Sequence, residues 1–152
     1  MVLLRPLLLL SLLLDGSGCF QQDSAKTSQI LPLGYESSYV QARGCRLIRG
    51  HTSNYIIVRA NSSEVQQAYV AGNGPLPQGS VILAEEYDRA DCLGIAGFTL
   101  MYKDVQGYNP DAADWHWQRL DSLRDVLEDG RVETCISCHA QCSLNDYTCS
   151  PP

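Results

Sequence analysis

The sequence predicts an α+β domain, mainly an antiparallel β-sheet with a few short helices. Two observations carry that reading. Short stretches rich in β-branched and aromatic residues, such as Tyr55-Ile56-Ile57-Val58, and the apolar/polar alternation of Trp115 to Leu120 read as strands. Apolar residues at helical spacing are confined to two brief segments, around Val65 to Tyr69 and Leu120 to Leu127.

Taken in order, residues 1–18 read as an export signal. Arg5 gives a positive start, Leu7 to Leu14 form an apolar run broken only by Ser11, and small or polar residues precede Cys19. The run is too short to span a bilayer. Ser17-Gly18-Cys19 resembles a lipobox with Gly16 in place of the usual leucine, so Cys19 is either a lipid anchor or lies beside an ordinary cleavage site. Either outcome places the chain in the periplasm or on a membrane facing it. Residues 19–34 are polar and irregular and read as a tether; the domain then runs over 35–152.

Within the domain, Asn61-Ser62-Ser63-Glu64 has the form of a capping box, and Val65, Ala68 and Tyr69 follow at helical spacing up to Gly72-Asn73-Gly74. Asn61 also opens a glycosylation sequon, but helix capping is the preferred role. Pro75 to Gly79 make a turn, and Ser80 to Glu85 and Ile95 to Lys103 read as strands. Leu120, Leu123, Val126 and Leu127 predict a short helix ended by Gly130.

Cys135-Ile136-Ser137-Cys138-His139 follows that segment. Two thiols with this spacing can each add to one vinyl group of a single porphyrin, and the adjoining histidine then becomes an axial ligand of its iron. Cys135, Cys138 and His139 are therefore the predicted site, with one covalently attached haem c as cofactor and His139 as proximal ligand. The alternative is a zinc knuckle completed by Cys142 and Cys149. Of seven cysteines, those outside the leader and this motif are Cys45, Cys92, Cys142 and Cys149. In an oxidising compartment they allow two disulfides; Cys142–Cys149 and Cys45–Cys92 are the favoured pairs among three arrangements.

The net charge of −6 opposes binding to phosphate backbones, and no basic stripe points to nucleic acid. No glycine-rich phosphate loop, Ser/His/Asp arrangement or internal repeat is found. The site lies near the C-terminal end, no methionine follows it, and the chain is rich in strands. A small helical cytochrome c and a four-helix cytochrome c′ are both poor matches.

From His51 to Tyr147 the chain resembles cytochrome P-460 and the related cytochromes c′-β. The resemblance rests on His51 ahead of Tyr55-Ile56-Ile57-Val58-Arg59-Ala60-Asn61, on Pro75 to Ile82, and on Glu85. It continues through Met101-Tyr102-Lys103, Gly107-Tyr108-Asn109-Pro110, Asp114-Trp115-His116-Trp117, the cysteine motif and Asp146-Tyr147. It implies an antiparallel-sheet haem domain, commonly a homodimer, whose open distal face binds small ligands such as nitric oxide. Members that oxidise hydroxylamine carry a lysine linked to the porphyrin in the strand after the proline-glycine turn. Ala84 stands there in this chain and has no amine, which favours the c′-β branch and a five-coordinate iron.

Three further residues and one acidic run are weighed beside the motif. Lys103 is read as a solvated strand end, and His116 as structural rather than an iron ligand. His51 is read as a turn histidine with the pocket rim as the alternative. Glu85-Glu86-Tyr87-Asp88 is read as a solvated strand end, with Glu85 the candidate to face the distal pocket. An enzyme requires an acid or base near the iron, and the sequence does not identify one. The favoured function is thus binding of a small diatomic ligand or electron transfer with a redox partner; the alternative is a haem oxidoreductase acting on hydroxylamine or a related compound.

Overall fold

The computed structural model describes residues 28–72 and 74–149. The leader, Cys19 and the first part of the expected tether lie outside them. Six strands, β1 (Val40–Leu47), β2 (Tyr55–Ala60), β3 (Val81–Tyr87), β4 (Ile95–Lys103), β5 (Trp115–Asp121) and β6 (Val126–Gly130), form one antiparallel sheet in chain order. Helix α1 (Ser63–Ala71) joins β2 to β3, and α2 (Glu133–His139) follows β6. The predicted class, α+β with a mainly antiparallel sheet, is the observed one.

Local chemistry explains the helix boundaries. The Ser62 side chain accepts from Val65 N at 3.2 Å, and Gly72, in the left-handed region at φ 63°, donates its N–H to Ala68 O. Asn61 does not cap the helix. Its amide donates to Gly79 O and its Oδ1 accepts from Val81 N, tying the end of β2 to the turn that starts β3.

Strand pleating sorts the side chains onto two faces. On one face Val58, Ala84, Thr99, Arg119 and Glu128 form a single cross-strand row, with Ile82, Met101 and Trp117 in the next. This face carries the larger apolar core, in which Trp115 and Trp117 are fully buried and α1 contributes Val65 and Tyr69. The opposite face buries Leu83, Phe98, Leu100 and Leu120 beneath Leu31 and Tyr35. Residues 28–34 are thus no free tether where they are described. Gln118 accepts from Ile30 N and donates to Ser28 O, while the Arg124 guanidinium donates to Leu31 O and Pro32 O.

The helix expected over Leu120 to Leu127 is instead a tight turn and strand β6. Arg124 sits at φ 71° and donates its N–H to Asp121 O, and the Asp121 carboxylate accepts from Leu123 N and Asp125 N. An aspartate that satisfies these backbone donors favours a turn over a helix. Leu123 and Leu127 are exposed rather than lining a core.

Both favoured disulfides are present. Cys45–Cys92 ties β1 to the loop between β3 and β4, and Cys142–Cys149 closes a loop directly after α2. Among the described residues no helix is long and apolar enough to cross a membrane.

Candidate functional site

Helix α2 displays Cys135 and Cys138 three positions apart, so both thiols lie on neighbouring turns of one helical face. They are the free cysteines among the described residues. Cys142 and Cys149 are bonded to each other and cannot complete a zinc knuckle with them. Burial, and then the nearby Glu128 carboxylate, push the Cys135 thiol up from its ordinary value.

His139 closes α2. Its Nδ1 lies 2.7 Å from Tyr147 O, and because a carbonyl only accepts, that nitrogen carries the proton. The Nε2 lone pair is then the one left for a metal, the arrangement typical of a ligating histidine and its backbone partner. Burial lowers the pKa of the imidazole despite the Tyr147 carbonyl, which favours the neutral form that a metal requires. The Trp117 indole meets the ring edge-on at a centroid distance of 6.4 Å.

Two open clefts meet beside this histidine. One, of about 90 Å³, is walled by apolar side chains including Ile56, Val58, Ile82, Ala84 and Met101, together with Cys138 and His139. The other, of about 320 Å³, is the more polar of the two and adds Glu86, Arg119, Glu128 and Cys135. His51 and Thr99 border both.

The residues fit a covalently held haem. Two free thiols precede a histidine with one nitrogen anchored; Cys138 and His139 line the apolar cleft, and Cys135 lines the other. Gly50, at φ 95°, leaves room over Cys138, where a Cβ would come within 3.3 Å of Sγ. Ala84 lies in the apolar wall and presents a methyl group to the cleft.

The strand register reverses the two glutamates. Glu85, the candidate to face the pocket in an otherwise solvated run, points to the opposite face and accepts from the Tyr35 hydroxyl at 2.8 Å, the Tyr87 hydroxyl at 3.1 Å and Arg59 Nε at 2.7 Å. Burial, followed by Glu85, pushes Tyr87 up to about 12. Glu86 instead faces the cleft, accepting from His51 Nδ1 at 3.1 Å, from the Thr99 hydroxyl and from Ser53 N. Neither glutamate is a solvated strand end; they are 2% and 4% exposed.

His51 accordingly belongs to the cleft wall, with its ring 6.5 Å from that of His139. His116 is on the other face, between Asp104 and Asp129 and stacked on Tyr108. Lys103 is not solvated. It is buried beside Trp115 and forms an ion pair with Asp146 at 2.5 Å. Sequence reasoning missed Glu86 and the Lys103–Asp146 pair; strand parity counted from Ala84 marks Glu86, whereas nothing local marks the pair. The chain matches no family model and no curated protein.

Proposed function

We propose that this is an exported c-type haem protein, similar to cytochrome P-460 and the cytochromes c′-β, that binds a small ligand such as nitric oxide or passes electrons to a redox partner. The observation that carries the reading is the anchored imidazole of His139, directly after two free thiols and beside an apolar cleft. Cys135 and Cys138 would hold the porphyrin by thioether bonds, and His139 would be the proximal ligand. When bound, the haem supplies an iron that takes up the ligand or exchanges the electron. Trp117 packs against the edge of the His139 ring, and Ala84 and Met101 give the cleft an apolar wall. Location in the periplasm, a lipid at Cys19 and assembly as a homodimer belong to the same proposal.

A haem oxidoreductase acting on hydroxylamine or a related nitrogen compound is the second reading. The His51–Glu86 pair favours it, because a buried carboxylate orienting a histidine is a usable proton acceptor. Ala84 weighs against the cross-linked form of that chemistry.

The test is an absorption spectrum of the full chain expressed with a haem-attachment system, read oxidised, reduced and with nitric oxide. A high-spin spectrum that changes with nitric oxide after reduction supports the first reading. Turnover of hydroxylamine favours the second, and a colourless protein defeats both.

A further inference from the structure

Lys103 is a buried cation with a single carboxylate partner, and a pair of this kind seldom adds net stability over apolar side chains of the same size. Its position suggests a different use. Asp146 has all of its acceptor groups engaged: Oδ1 by Lys103 Nζ, Oδ2 by Leu76 N at 2.8 Å, and its carbonyl oxygen by the Trp115 indole N–H at 2.7 Å. Asp146 and Tyr147 both occupy the left-handed region, at φ 53° and 59°, which residues other than glycine rarely adopt. Tyr147 is held at both ends, its N–H donating to Cys142 O and its hydroxyl to Asp111 O. What this clamped turn presents is the Tyr147 carbonyl, which accepts the His139 Nδ1 proton.

We infer that Lys103 and Asp146 are positioning residues for His139: the ion pair fixes the turn at Asp146-Tyr147, and the turn fixes the tautomer and orientation of the imidazole. The inference rests on the reading of His139 as the proximal ligand. Backbone partners of ligating histidines hold one tautomer and raise ligand basicity, so a slack turn leaves a less basic imidazole and an iron that is easier to reduce.

The test uses the full chain with Lys103→Met/Asp146→Asn, which removes both charges together and strands neither. Nitrogen NMR of the imidazoles before haem loading should show a single Nδ1-protonated tautomer for His139 in the wild type and a mixture in the variant, with Lys103→Arg restoring the single form. After loading, the iron–histidine stretching frequency should fall. The ferric/ferrous equilibrium should move about tenfold toward ferrous, a rise of about 59 mV for one electron. Asp146→Asn alone reads the same signals should the double variant not fold. Wild-type tautomer, frequency and potential in these variants would overturn the inference. Failure of the wild type to take up haem would instead overturn the site reading, and the imidazole spectra would still decide the positioning role.

Discussion

Glu86 is the residue whose setting differs most from its sequence context. Burial pushes its pKa up, but hydrogen bonds from His51, Thr99 and Ser53 together outweigh that and hold it below its usual value of 4.5. A carboxylate with a depressed folded-state pKa contributes stability that is present above the unfolded value and is lost as pH falls through the folded one. Acid titration of the wild type should therefore show a loss of stability below pH 4.5 that Glu86→Gln lacks. Parallel curves for the two proteins would remove Glu86 from the account. Gly50 makes a second prediction at this scale. Any side chain is strained at φ 95° and would crowd Cys138, so Gly50→Ala should cost about 1 kcal/mol or more and reduce covalent haem loading. Thermal melting and the haem-to-protein ratio check the two halves. The motif itself was legible because its chemistry is local. Glu86, His51 and Lys103 acquire their roles from cross-strand neighbours, and one residue of parity separates a pocket glutamate from one on the far face.

Among the elements, β2, β3, β4, β5 and α1 were readable from composition, alternation and the Ser62 cap. Strand β1 left no signal, since its residues are mostly exposed or half-buried and show no alternation. At β6 the leucines suggested a helical period, and the Asp121 turn decided otherwise. The consequence is measurable: Leu123→Lys should change stability by no more than about 0.5 kcal/mol, whereas Trp117→Ala should cost about 3–5 kcal/mol. A large loss at Leu123 would restore the helix. The two disulfides should also differ. Loop-closure entropy gives about 4 kcal/mol for Cys45–Cys92, whose partners lie 47 residues apart, and about 2.5 kcal/mol for Cys142–Cys149, 7 apart. Removing the shorter bridge should nonetheless disturb His139 more, because it closes the loop that carries Tyr147. Paired Cys→Ala variants, compared by denaturant melts and by haem spectrum, separate the two effects.

At the scale of the molecule, one sheet separates two environments. One face borders the clefts and α2 with its thiols and His139, while the other is covered by residues 28–35 and holds the buried Glu85 cluster. Export is part of the proposed function, and mass spectrometry from the native host should find the protein starting at or near Cys19; an intact Met1 would contradict it. The central claim is that α2 carries a covalently bound haem, and intact-protein mass under denaturing conditions tests it most directly. The full chain, expressed with a haem-attachment system, should retain one porphyrin per polypeptide and lose it when Cys135 and Cys138 are both replaced by serine. A polypeptide without added mass, whose Cys135 and Cys138 both react with an alkylating agent, would contradict it.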